Sequence, residues 1–128
     1  MYERFIQGKQ LSELSTFAIG GPARYFVELR DCVQAQELMR FCHEKQLAYL
    51  VVGKGSNCLF SDQGFDGLVI LNKIDFCHQE ASGVEADTVV HVGAGYSFSL
   101  LGTQTARNGL SGLEFAAGIP ATVGYLHT

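Results

Sequence analysis

Residues Leu50, Val51, Val52, Gly53, Lys54, Gly55, Ser56 and Asn57 run from a β-branched apolar stretch into a loop of small residues that carries one cation. A strand feeding such a loop can hold a phosphate. Glycine accepts the positive-φ conformations that turn successive backbone N–H groups toward one anionic oxygen. A second glycine-rich segment lies near the other end, where Gly109, Gly112, Gly118 and Gly124 are interspersed with Leu110, Ser111, Leu113, Glu114, Phe115, Ile119, Pro120, Ala121, Thr122 and Val123. Small residues there let backbone approach something flat or charged. Two loops of this kind on one short chain suggest an extended nucleotide cofactor. Residues 53–57 fit a second description equally well, a tight connection between strands in which Ser56 and Asn57 bond their own backbone.

The common phosphate motifs do not fit. A Walker loop needs G-x-x-x-x-G-K-[ST], but Ala48 stands where its first glycine belongs and Gly55 follows Lys54. The dinucleotide fingerprint G-x-G-x-x-G fails twice, because Gly53-Lys54-Gly55 and Gly93-Ala94-Gly95 are followed by Cys58 and Phe98 at the third glycine position. Metal chemistry has no support either. His43, His78, His91 and His127 are scattered, and no pair has the spacing of two ligands on one helix. Cys32, Cys42, Cys58 and Cys77 lack any C-x-x-C pair and sit among apolar neighbours, so they are expected to be free buried thiols in a reducing compartment.

The elements that must position these loops alternate between helix and strand. Residues 25–29 (YFVEL) form a strand pattern. Asp31 with Gln34 resembles a capping box that opens a helix ending near Lys45, with Leu38, Phe41 and Cys42 on one face. Residues 48–52 form the next strand, followed by the phosphate-type loop. Turn residues 61–64 and Asp66-Gly67 flank Phe65, and 68–71 (LVIL) reads as a buried strand. The more polar segment from Asn72 to Asp87 is expected to separate two lobes, 1–72 and 73–128. Residues 88–92 form a strand, and Ser97 caps a helix from Phe98 to about Asn108 that stops at Gly109.

The chain's 128 residues are enough for one ordinary domain with a core, at 47% hydrophobic and 17% charged residues. A formal charge of −4 provides no basic face for nucleic acid. No run approaches the ~20 apolar residues of a membrane span, and the start lacks the apolar centre of a signal peptide, so a cytoplasmic chain is expected.

Ser15-Thr16-Phe17-Ala18-Ile19-Gly20-Gly21-Pro22-Ala23, Gly53-Lys54-Gly55-Ser56-Asn57 with Leu59, Gly64-Phe65-Asp66-Gly67, Gly93-Ala94-Gly95, Gly109-Leu110-Ser111-Gly112-Leu113-Glu114 and Gly118-Ile119-Pro120 occur in that order. In order and spacing this set resembles the UDP-N-acetylenolpyruvoylglucosamine reductases, also called UDP-N-acetylmuramate dehydrogenases, over nearly the whole chain. The resemblance implies an α+β fold, an FAD-binding domain of the vanillyl-alcohol-oxidase (PCMH) type with two small α+β subdomains, 1–72 and an incomplete 73–128. It implies an oxidoreductase that uses FAD and NADPH to reduce the enolpyruvyl ether of a UDP-sugar to the lactyl ether of muramic acid, in peptidoglycan and cell-wall synthesis, and hence a part in cell shape and division.

Carried over by position, the resemblance assigns the FAD pyrophosphate to the amides of Gly53, Lys54, Gly55, Ser56 and Asn57, with Ser56 and Asn57 adding side-chain bonds and Lys54 either contacting it or simply solvated. It assigns the flavin to Gly118, Ile119, Pro120, Ala121, Thr122 and Gly124, with Ile119 as an apolar contact and Pro120 fixing φ. Glu114 is either a first-turn residue of a short helix or a flavin contact. Thr16 and its neighbours through Gly21 would shape a subdomain, and Thr16 could also touch the cofactor. The chain departs from the family's Gly-x-Val-Gly-Gly-Ala continuation at Ala121 and Tyr125. The family's catalytic serine, arginine and glutamate have no counterpart in these residues, so no catalytic residue is assigned and the 128 residues alone are expected to be inactive. Two alternatives stand beside this reading: a truncated or decayed, non-catalytic FAD module, and another flavoprotein oxidoreductase of the same domain type.

Overall fold

Leu68, Val69 and Ile70 are fully buried, as a continuous apolar run must be when a strand is covered on both faces. The computed structural model describes residues 1–15, 17–53, 59–81, 88–119 and 121–124. It divides into two units, Met1–Lys73 and Ile74–Thr128.

In the first unit, β1 (Lys9–Gln10), β2 (Pro22–Leu29), α1 (Cys32–Glu44), β3 (Tyr49–Val52) and β4 (Phe65–Asn72) follow one another along the chain. The sheet order is β1-β2-β4-β3. β1 is antiparallel to β2, while β2, β4 and β3 are parallel. The crossover through α1 therefore leaves a gap that β4 fills, and β4 becomes the buried centre. On one face, Leu11, Ala23, Phe26, Val52, Phe60 and Val69 pack into a core. Elsewhere in the unit, Phe41 of α1 is joined to Tyr25 of β2 through the rings of Tyr2 and Phe5, with centroids 5.0–5.9 Å apart.

α1 starts where the sequence places it. Asp31 Oδ1 accepts the Gln34 N–H at 2.7 Å, and the Gln34 side chain reaches back to the Arg30 N–H at 3.0 Å, one residue earlier than in a standard capping box. Burial pushes the thiol of Cys42 up, whereas Cys32, the first residue of α1, is exposed and Cys77 half-buried. The expectation of uniformly buried thiols is thus corrected at Cys32, where the opening turn of the helix faces solvent. Cys58 lies outside the described residues.

A second correction concerns Asp66 and Gly67, which belong to β4 rather than to a turn. Ala23 pairs with Phe65 but Tyr25 with Leu68, so Asp66 and Gly67 together oppose Arg24 in a β-bulge. Gly67 is required there, since a Cβ would lie 2.4 Å from the Ala48 carbonyl oxygen.

The second unit contains β5 (Cys77–Ala81), β6 (Thr88–Val92) and α2 (Phe98–Arg107), followed by a 3-10 turn at Glu114–Ala116. β5 lies within the segment from Asn72 to Asp87 that reads from sequence as a polar boundary between lobes. It pairs instead with β6 in an antiparallel ribbon running from Cys77↔Val92 to Ala81↔Thr88. The rings of His78 and His91 stack across it at 5.0 Å, and His91 Nε2 lies 2.8 Å from Glu80 Oε2. α2 begins at Ser97, whose Oγ accepts the Leu100 N–H at 3.2 Å, and ends before Gly109 at φ +77°.

Candidate functional site

The parallel strands of the first unit bring their carboxyl ends to one edge of the sheet, and Gly53 leaves β3 there, half-buried, directly after the buried Val52. Ligands of open α/β sheets are held by the loops at that edge. Lys54, Gly55, Ser56 and Asn57, the rest of the sequence-predicted phosphate loop, lie outside the described residues, as does Thr16. At the same edge, Glu28 Oε1 lies 3.1 Å from Lys73 Nζ and Glu28 Oε2 2.7 Å from Arg30 Nη2. The hydrogen bond from Lys73, followed by that from Arg30, holds the Glu28 carboxyl below its ordinary value.

Gly20, Gly21 and Gly64 serve packing. A Cβ on Gly21 would sit 2.2 Å from the Asp62 carbonyl oxygen, and one on Gly64 2.0 Å from that of Pro22. Gly21 also donates its N–H to Ser61 O at 2.8 Å and accepts that of the buried Leu11 at 2.9 Å, which ties this glycine to the core.

In the second unit, the described residues that follow Gly112 bond to α2, to the segment before it and to one another. Gly118 has φ +87°, and among the described residues, its chain neighbours aside, an added Cβ would meet no heavy atom within 4 Å, which leaves that face open to a flat group. Its N–H is donated to Ser99 Oγ at 2.8 Å. Ile119 is half-buried and donates to Ala116 O at 3.0 Å. Ala121 donates to Ile119 O at 2.9 Å, and its carbonyl accepts the Phe98 N–H. Val123 donates to Tyr96 O and Gly124 to Ala94 O. The Phe98–Ala121 and Val123–Tyr96 bonds form an antiparallel β-bridge between Ser97 and Thr122. In such a bridge the flanking residues make the bonds and the N–H of Thr122 points away from the partner segment.

Ala121 and Thr122 are buried. The methyl that distinguishes Ala121 from glycine is thus absorbed in the interior of the unit. Gly124 is half-buried, a Cβ on it would lie 2.9 Å from Ala94 Cβ, and Pro120 and Tyr125 lie outside the described residues. Glu114 Oε2 accepts the Gly112 N–H at 2.9 Å, a bond that holds its carboxyl below the ordinary range. Glu114 is the first residue of the 3-10 turn, and its carboxylate bonds back to the chain just before it.

Sequence reasoning passed over Ser99 and Gly102. A Cβ on Gly102 would lie 2.7 Å from Leu113 O and 2.8 Å from Ala116 Cβ. The only local signal was a small residue on a helix adjoining a glycine-rich segment. A cavity of about 430 Å³ between β5 and α2, beside Cys77, Gln104 and Arg107, includes none of the predicted site residues. Tyr96 donates its hydroxyl to Gln104, and its phenol is pushed up by burial first and by Cys77 second. Among the described residues no group of three or more His, Cys, Asp or Glu could hold a metal, and no helix is long and apolar enough to cross a membrane.

The residues present fit a flavin nucleotide. In the second unit the exposed Gly118 and the apolar Ile119 beside it suit a flat heterocycle; in the first unit, taken by itself, Gly53 stands at the carboxyl end of β3, the kind of position from which loops of α/β sheets hold phosphates. Fold and site define a flavin-nucleotide-binding α+β domain. The FAD binding domain family matches residues 23–125, and the chain belongs to that family. It is 55% identical over 114 residues to the UDP-N-acetylenolpyruvoylglucosamine reductase of Protochlamydia amoebophila (strain UWE25), a match covering 89% of this chain and 36% of that protein. It is 52% identical over 114 residues to the reductase of the same name from Chlamydia trachomatis serovar L2, covering 89% and 38%. The crystal structure of UDP-N-acetylenolpyruvylglucosamine reductase from Thermus caldophilus superposes with a TM-score of 0.69 at 36% identity, covering 94% of this chain and 40% of that one. The chain therefore spans little more than a third of the curated relatives it matches.

Proposed function

We propose that these residues are the flavin-binding part of a UDP-N-acetylenolpyruvoylglucosamine reductase. In this reading the full-length parent is an NADPH-dependent flavoprotein acting on a UDP-sugar in the cytoplasm, in peptidoglycan synthesis and so in cell-wall growth, shape and division. The observation that carries the proposal is the 55% identity over 114 residues to a reductase of that name.

The bound FAD would supply hydride transfer between NADPH and the enolpyruvyl double bond. The chain's own task is to hold and orient it. The amides of Gly53, Lys54, Gly55, Ser56 and Asn57 would receive the pyrophosphate, with the Ser56 and Asn57 side chains adding bonds. Gly118 offers an open backbone face to the ring system, and Ile119 an apolar contact that excludes water. Pro120, Ala121, Thr122 and Gly124 complete that wall. Reduction of the substrate also needs a proton donor and a group that stabilises developing negative charge. The proposal assigns both to the part of the relatives that the match does not cover.

The test is titration of the 128-residue chain with FAD, followed by flavin fluorescence and visible absorbance. Saturable quenching with a resolved flavin band is expected. A flat titration would favour a module that has lost its cofactor and would overturn the proposal.

A further inference from the structure

We propose that Ser99 is a positioning residue for the cofactor, because its hydroxyl holds the Gly118 N–H and thereby sets the backbone face that residues 118–124 present to the flavin. The inference rests on the reading of that loop as flavin-lining.

Ser99 lies in the first turn of α2, with its Oγ 2.8 Å from the Gly118 nitrogen and nineteen residues away in sequence. The hydrogen bonds of the other described loop residues run between backbone groups. Ile119, Ala121, Val123 and Gly124 donate to the carbonyls of Ala116, Ile119, Tyr96 and Ala94, and Ala121 accepts from Phe98. Those bonds survive any side-chain replacement. Among the described residues, Gly118 is the one position between 118 and 124 fixed by a side chain.

It is also the position where an anchor matters. Gly118 sits at φ +87°, and glycine populates both signs of φ with little preference. Among the described residues, its chain neighbours aside, no heavy atom lies within 4 Å of the place a Cβ would occupy, so none of them packs against that side of Gly118 to oppose rotation. The Ser99 hydroxyl supplies a directional restraint that sterics do not. Without it the Gly118 peptide can reorient, while the Ser97–Thr122 bridge and α2 stay intact. The expected signature is therefore a change in flavin contact without a matching loss of fold.

The experiment compares the wild-type chain with Ser99→Ala and Ser99→Thr. FAD affinity is measured by fluorescence titration, the visible flavin band by absorbance, and Gly118 amide exchange by NMR without FAD. Ser99→Ala should bind FAD about three- to tenfold more weakly, the range that one net hydrogen bond corresponds to, with an altered flavin band. Its Gly118 amide should exchange faster, while its urea midpoint stays near wild type. Ser99→Thr, which keeps the acceptor oxygen, should restore all three. Faster exchange in Ser99→Ala with unchanged affinity and band would reduce the bond to a structural role and overturn the proposal. Unchanged exchange would overturn it at its base. If the wild type leaves the flavin unperturbed while the exchange difference persists, the flavin-lining reading has failed and the proposal falls with it.

Discussion

Gly102→Ala pits helix propensity against packing. In the interior of α2, alanine is favoured over glycine by about 1 kcal/mol, because it restricts the unfolded chain and shields the backbone. Taken alone, that predicts a more stable helix. The tertiary surroundings oppose it, since the new methyl would lie 2.7 Å from Leu113 O, 2.8 Å from Ala116 Cβ and 3.1 Å from Ala117 N. Carbon atoms pack at about 3.5–4.0 Å, so the 113–117 segment must withdraw from α2 by about 0.7 Å or more. Two of the three opposing atoms belong to backbone and cannot swing aside. Overpacking of this kind costs about 1–3 kcal/mol, which exceeds the propensity gain over most of its range. The net expectation is destabilisation of up to about 2 kcal/mol. Urea denaturation followed by far-UV circular dichroism measures it, with Gly112→Ala as a comparison in which the same methyl, its chain neighbours aside, meets no atom of the described residues within 4 Å but must take φ +119°. A Gly102→Ala midpoint at or above wild type would refute the close approach of α2 to the turn at Glu114–Ala116.

Two further expectations concern the first unit. Because Lys73 and Arg30 hold the Glu28 carboxyl below its ordinary value, the ion cluster stabilises the fold fully above the unfolded value of about 4.3. That contribution is lost as pH falls through the lower folded value, so Glu28→Gln should flatten the acid limb of stability against pH; identical acid limbs in the two proteins would dismiss the cluster as a source of pH dependence. At the proposed pyrophosphate loop, Gly55→Asp adds both a side chain and a negative charge and should weaken FAD binding more than tenfold, over ~1.4 kcal/mol. The circular dichroism spectrum should be unchanged, and equal FAD affinity would remove the loop from the site.

Much of this protein is legible in local sequence. Asp31 and Gln34 mark the start of α1 and Ser97 that of α2 because a cap is a bond between near neighbours in the chain. The apolar run 68–71 marks the buried strand, since burial on both faces demands unbroken apolarity. The ordered glycine motifs carry the resemblance to a flavin-dependent reductase family without any coordinates. Other features needed the fold. β5 is polar and becomes a strand only through pairing with β6, and β4 extends back to Phe65 only through a bulge opposite Arg24. Its place between β2 and β3 follows from the crossover, and no local pattern records that order. Gly102 reads as a poor helix residue until Leu113 and Ala116 are brought against it, and Ser99 reads as an ordinary surface serine until Gly118 arrives. Caps and periodicities act within one turn of helix or a few strand residues, whereas these last roles exist only between segments that tertiary folding brings together.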